Sequence, residues 1–179
     1  MSDNTPVQLL ALHEGIKAGI RSMFTTAEVP TVDYYSRVQR KVIVPAIYFE
    51  LTSISSDREL PTEQIDATFR FSAYCILPYN AENACLQVRI LAAALASKLN
   101  GKRWGQPIGR ANVTVIEPDE FEAENYEYET VRIDWQQDGV LGNDVWAGGV
   151  RPTTVYLGMA PDTGVDNIDK YVQIFPELP

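Results

Sequence analysis

Between residues 65 and 77 apolar and polar positions alternate. Ile65, Ala67, Phe69, Phe71, Ala73, Cys75 and Leu77 point one way; Asp66, Thr68, Arg70, Ser72, Tyr74 and Ile76 point the other. A period of two marks a half-buried strand, and Pro78 closes it. The second side starts polar and becomes apolar toward Tyr74 and Ile76. Beyond Pro78 the period changes. Asn80 suits a helix cap and Asn100-Gly101 a helix stop, which predicts a helix of about 19 residues, ~28 Å long. Stepped at ~100° per residue, this helix has two apolar arcs. Ala84, Val88, Leu91, Ala92, Leu95 and Leu99 form one; Leu86, Ile90 and Ala93 lie almost opposite. A helix apolar on opposed sides is buried on both, but a single sheet covers only one. The second arc needs cover from elsewhere in the same chain or from another copy, and both readings stand.

The remaining periodicity fills in an order. Thr5-Pro6-Val7-Gln8 reads as a helix start, with Thr5 capping, Pro6 first in the helix and Gln8 bonding back. Leu9, Leu12, Ile16, Ile20 and Met23 then share one side. Opposite them Ala11, Gly15, Ala18 and Ser22 are small enough for a neighbour to come close. Residues 42–51 read as a strand, with Pro45 predicting an edge position or a bulge. "SSDRELPTEQ" reads as a polar loop. Two further strands are expected at 111–116 and 126–135, the second with Val131, Ile133 and Trp135 on one face and Tyr126, Tyr128 and Thr130 on the other. Residues 136–179 hold six glycines and four prolines, with short strand candidates at 154–157 and 171–174. The order α–β–β–α–β–β predicts an α+β fold: a mostly antiparallel sheet with two helices packed on one face, plus an irregular C-terminal extension. Residues 1–135 form the domain, and 136–179 are an arm of it.

Composition narrows the function classes. The chain of 179 residues suits one domain. Its net charge of -9, with 15 dispersed basic residues, argues against gripping a phosphate backbone, although an acidic wall lets DNA slide past. Cys75 falls inside a strand and Cys85 near a helix start, so free thiols in a reducing cytoplasm are expected. The start of the chain lacks the basic and apolar segments of a signal peptide. No apolar run reaches the ~18 residues of a membrane span.

Candidate chemistry is sparse. His13 is the only histidine and reads as a packing residue beside the first helix's apolar arc. One histidine and two cysteines cannot build a tetrahedral zinc site without carboxylates. Phosphate-loop and dinucleotide glycine patterns are absent. Glu122, Glu124, Glu127 and Glu129 could do acid–base work or hold a hard cation, but such runs are more often solvated loops. Asp162, Asp166 and Asp169 lack the D-x-D-x-D-G core and closing glutamate of a calcium loop. Tyr34, Tyr35, Tyr126, Tyr128 and Tyr156 suit an interface or an ordinary sheet face equally. No catalytic residue, metal site or cofactor is expected, and an enzyme is not.

One resemblance gives direction. The first helix, the strand with "PAI", its partner "ATFRFSAYCILP", the helix "NAENACLQVRILAAALASKL" and two following strands resemble the tail terminator (tail completion) proteins of long-tailed bacteriophages, over roughly residues 7–135. The resemblance implies a structural virion protein at the tail or neck, assembled in the host cytoplasm. It implies a homohexameric ring that ends the tube and offers a surface to the neck or head. Its partners would be copies of itself, the tail tube protein, a neck or connector protein and, in a contractile tail, the sheath protein. DNA would pass through without specific binding. The extension after Gln136 keeps a related neck or connector protein open as an alternative, and an enzyme using the acidic cluster or a monomeric binding module are the competing classes. Leu86, Ile90, Ala93, Tyr74 and Ile76 are the candidate subunit contacts.

Overall fold

The alternation at residues 65–77 is realised in β3 (Ile65–Pro78), the middle strand of a five-stranded sheet. The structure, a computed structural model, describes residues 5–35, 43–119, 128–145 and 154–175. β3 is flanked by β2 (Ala46–Glu59) and β5 (Tyr128–Leu141), both antiparallel to it. Outside these lie β1 (Thr31–Tyr34), parallel to β2, and β4 (Asn112–Pro118), antiparallel to β5. The helices are α1 (Leu9–Arg21) and α2 (Ala84–Leu99). The fold is α+β, as the periodicity predicts.

Register explains the two faces of the sheet. Phe49 pairs with Ala73, which pairs with Ile133; Ile47 pairs with Cys75, which pairs with Val131. Residues paired across strands share a face, so one side of the sheet is continuously apolar. Phe71 and Trp135, also paired, stack with ring centroids 5.1 Å apart. Leu12, Ile16 and Ile20 of α1 and Val88, Ala92, Leu95 and Leu99 of α2 are buried in one cluster with these residues. Both helices therefore lie on this face. Each buried Leu, Ile or Val contributes roughly 1.5–3 kcal/mol relative to exposure.

Several boundaries differ from expectation, each for a visible reason. α1 begins at Leu9, not near Thr5, and Gln8 at its cap makes no side-chain bond. Val7 is buried, and its N–H donates to the Val140 carbonyl at 2.8 Å, which pulls it out of the helix. Gly139 leaves room for it, since an added Cβ there would lie 2.8 Å from Val7 Cγ2. α2 begins at Ala84, because residues 78–83 make turns and Asn83 takes a left-handed backbone (φ 53°). Its predicted end holds: Gly101 has φ 83°, and its N–H donates to Ala111 O at 2.7 Å.

The first half of the expected loop "SSDRELPTEQ" is strand. β2 continues to Glu59 because Ser55, Ser56 and Arg58 pair with Thr68, Ala67 and Asp66 of β3. Only residues 60–64 turn, closed by Leu60 N–H donating to Gln64 O at 2.8 Å. The bulges fall between Leu51 and Ser53 and between Ser56 and Arg58, not at Pro45, which precedes the strand. β1, unforeseen, pairs through only four residues.

β5 runs to Leu141, so a boundary after residue 135 would cut a strand. The chain instead divides into two compact units, Met1–Asp144 and Val145–Pro179. In the second unit β6 (Val155–Leu157) pairs antiparallel with β7 (Val172–Phe175), with a 3-10 helix (Val165–Lys170) between them. The short strand candidates at 154–157 and 171–174 match these two strands to within a residue.

Candidate assembly surface

α2 has an inner and an outer side. Ala84, Val88, Ala92, Leu95 and Leu99 face the sheet and are buried, while Leu91 is half-buried. Leu86 and Ile90 are 58% and 59% exposed, and Ala93 is exposed beside them. Among the described residues of the Met1–Asp144 unit, none covers the second arc. Full burial of a Leu or Ile side chain is worth ~1.5–3 kcal/mol, so each of these two withholds about half of that. At the N-terminal end of this flank is an open depression of about 400 Å³. Tyr79, Cys85, Leu86, Arg89 and Glu129 contribute to its walls. Tyr79 is 65% exposed and extends the apolar patch.

The stretch of sequence that contains α2 is basic, against the charge of the chain as a whole. Residues 83–116 contain Arg89, Lys98, Lys102, Arg103 and Arg110 and no Asp or Glu, in a chain with net charge -9. Glu129 shares the wall of the depression with Arg89, and Glu82 directly precedes this stretch. Lys98 donates to Met23 O at 2.6 Å and lies 4.4 Å above the Phe24 ring, which ties α2 to the end of α1. Arg89 makes no ion pair among the described residues.

The loop after α2 fixes how the two helices sit. Trp104 lies on the small side of α1: a Cβ at Gly19 would be 2.6 Å from its ring, and one at Gly15 would be 2.8 Å from its carbonyl oxygen. Gly15 and Gly19 therefore serve a close approach within the chain, while Ala18 and Ser22 of the expected small side are exposed. Gln137, 1% exposed, holds this loop from beneath. Its Oε1 accepts from Trp104 Nε1 at 2.7 Å and Trp135 Nε1 at 3.2 Å. Its Nε2 donates to Gly109 O at 2.7 Å and Lys102 O at 3.1 Å. Every polar atom of this side chain has a partner, as a buried amide requires.

Tyr74 and Ile76 lie on the opposite face of the sheet from the helices, so the five candidate contacts fall on two surfaces. Ile76 is 0% exposed, enclosed with Ala46 and Tyr48 and packed by Tyr35, Val44, Tyr74 and Tyr128. It offers no surface to a partner: the apolar turn of that face signals a second small core. Tyr74 is half-buried, and its hydroxyl donates to Glu50 Oε1 at 2.8 Å. Burial and the Glu50 carboxylate push its phenol well above the usual range.

Beside Tyr74 the carboxylates are committed internally, while Thr130 Oγ1 and Arg132 Nε are buried without a hydrogen-bond partner among the described residues. Arg132 bonds Glu117 and lies 3.2 Å from Asp134 and 3.8 Å from Asp119. Partial burial works against its charge, but Asp134, Asp119 and Glu117 outweigh burial and raise its pKa. Ser72 Oγ donates to Asp134 at 2.7 Å. These carboxylates are spent on holding the sheet. The groove over them, about 350 Å³, is lined by Thr52, Arg70, Ser72, Tyr74 and Arg132 among others.

Other candidates take structural places. His13 bonds Leu9 O at 2.8 Å and packs near the Tyr34, Phe49 and Phe71 rings. Cys75 is buried, which pushes its thiol up, and Cys85 is exposed. Asp162 pairs with Lys170 at 2.6 Å. Glu122, Glu124, Glu127 and Tyr126 lie outside the described residues; Glu129 borders the depression by α2. Among the described residues no group of three or more His, Cys, Asp or Glu could hold a metal ion, and no helix is long and apolar enough to cross a membrane. Sequence reasoning missed Tyr79; its aromatic ring directly after Pro78, in the turn before α2, was the available signal.

No protein-family model matches the chain, and no curated protein matches it.

Proposed function

We propose that the chain is the repeating subunit of a homo-oligomeric ring that ends the tail tube of a long-tailed bacteriophage and carries the joining surface for the neck or head. The observation that carries this reading is the outer flank of α2. Leu86 and Ile90 are both more than half exposed on a helix whose other side packs on the sheet. An apolar stripe left open within its own compact unit supports an assembly surface. A closed ring needs two different surfaces on each subunit, one meeting the other on the next copy. The flank of α2 supplies one of them.

The order of elements supports the same reading. Helix, strand, antiparallel partner, long Ala/Leu helix and two more antiparallel strands follow in the sequence expected from the resemblance, with β1 added. The described carboxylates beside the back-face groove are engaged by internal donors, which favours a structural part over a chemical one. The test is light scattering together with electron microscopy of the full chain. The reading expects closed rings with a mass six times the 20.0 kDa of one chain. A species that stays at one chain mass at every concentration overturns it. If the mass is a dimer's, or the particles are open filaments, the terminator assignment fails as well.

A further inference from the structure

Asn100-Gly101, at the end of α2, is the only Asn-Gly pair in the chain. In a flexible peptide such a pair reacts with itself. The glycine nitrogen loses its proton, attacks the asparagine side-chain carbon and expels ammonia. A succinimide ring forms, and water opens it to aspartate or isoaspartate. Glycine permits this because no side chain of its own stands in the way. The reaction asks two things. The Gly101 N–H must be free to give up its proton, and the Asn100 side chain must be free to turn onto that nitrogen. The fold denies both. Gly101 N–H donates to Ala111 O at 2.7 Å, at the short end of the range for such bonds. Asn100 Oδ1 accepts from Val113 N–H at 3.3 Å, which holds the side chain toward β4. Both bonds require residues 101–111 to lie closed as a loop. Ala111 N–H donating to Lys102 O at 2.8 Å, the Gln137 bonds to Lys102 O and Gly109 O, and the Trp104 ring on Gly19 keep it so. Trp104 has φ 58°, a left-handed backbone that a bulky residue holds only where its surroundings impose it. That strain works against closure, so the loop stays shut only while these contacts last.

We propose that Asn100 is a deamidation site withheld by the fold, with residues 101–111 as its latch. While the loop is closed the amide persists. Each opening frees the Gly101 N–H and the Asn100 side chain together, and water is the only other reactant. Once the amide is lost, the loop no longer closes as before. Isoaspartate adds a methylene to the main chain, so the Gly101 bond to Ala111 O and the Ala111 bond to Lys102 O lose their common register. Aspartate keeps the register but sets a carboxylate at the carbonyl end of the 16-residue α2, where negative charge is unfavourable. The latch thus works in one direction, and the joint between α2 and β4 carries a permanent mark of having opened.

Mass spectrometry of the full chain, held at mildly alkaline pH and mapped at residue 100, tests this. Only the open fraction reacts, so the folded wild type should convert at least roughly tenfold more slowly than the same chain in guanidinium chloride. Trp104→Ala removes the ring from Gly19 and its bond to Gln137. Under native conditions it should convert roughly tenfold faster than the wild type, with circular dichroism as the check on folding. Gly19→Ala, which crowds the same ring, is the second variant should the first not fold. In converted protein, hydrogen exchange at the Gly101 and Ala111 amides should be faster than in unconverted protein. Equal rates in folded and denatured wild type mean that the fold withholds nothing. A denatured chain that keeps its amide means that the pair is unreactive. A folded variant that converts no faster than the wild type, or unchanged exchange after conversion, means that residues 101–111 are not the latch. Each of these results overturns the proposal.

Discussion

Replacing Gly19 by alanine sets two known effects against each other. Within a helix, alanine is favoured over glycine by ~1 kcal/mol, so on propensity alone Gly19→Ala stabilises the protein. The structure predicts the reverse. The new Cβ would lie 2.6 Å and 2.7 Å from Trp104 Cε3 and Cζ3. Ordinary carbon contact begins near ~3.5 Å, so the indole must retreat by roughly 0.9 Å. It is not free to do so: its Nε1 donates to Gln137 at 2.7 Å, and that retreat stretches the bond past ~3.5 Å, where little of it remains. Overpacking of this kind costs ~1–3 kcal/mol, and the lost hydrogen bond adds ~1 kcal/mol. The net expectation is a loss of ~1–3 kcal/mol, or a Tm lower by ~2–12 °C at ~2–4 °C per kcal/mol. In a Trp104→Ala background the clash is gone, and the same substitution should stabilise by ~1 kcal/mol. Urea unfolding of the four variants gives the cycle. If Gly19→Ala stabilises the protein while Trp104 is present, the packing of that loop on α1 is wrong.

Three further outcomes follow from the same coordinates. Gln137→Leu strands two indole N–H groups and the Gly109 carbonyl around a residue that is 1% exposed, while the Lys102 carbonyl keeps the Ala111 N–H; at ~1–3 kcal/mol per unsatisfied buried group, urea unfolding should show a loss of at least ~2 kcal/mol. Ile76→Ala and Ile90→Ala separate interior from surface: the first should cost ~2–5 kcal/mol, while the second should stay within ~0.5 kcal/mol in an unassembled chain. The hydrogen bond from Lys17 at 2.8 Å holds the Asp33 carboxyl below its ordinary 3.8, overcoming partial burial. A depressed carboxylate pKa contributes stability above the unfolded-state pKa and loses it as pH falls through the folded-state value. Lys17→Met should therefore raise the Asp33 titration seen by NMR and move the acid unfolding midpoint to higher pH.

What could be read from the sequence followed the strength of each local signal. The strict alternation of β3 specified its length, its faces and the buried row from Ala67 to Cys75, because a strand with one packed face leaves no freedom of register. The two arcs of α2 were equally legible, including the arc that remains exposed. Helix starts were not. Val7 is drawn to the sheet by Val140 and the space at Gly139, partners more than a hundred residues away that no local window includes. The second half of β2 is polar because much of it is exposed, and its pairing with β3 outweighs its loop-like composition. Ile76 shows the converse. An apolar residue on the wetter face of a strand read as a contact for a partner, yet tyrosines from neighbouring segments enclose it. The C-terminal unit showed its turn residues plainly, but that none of its described residues is buried is something a sequence does not carry.

The central claim is that the outer flank of α2 is where copies of this chain meet. Ile90→Glu tests it most directly, since Ile90 is 59% exposed and its replacement leaves the core untouched. Light scattering is to be compared for wild type and variant at matched concentration, with thermal unfolding as the control for folding. The account predicts a wild-type mass that is a multiple of 20.0 kDa and a variant at one chain mass with its fold intact. A folded variant that assembles as the wild type does contradicts it.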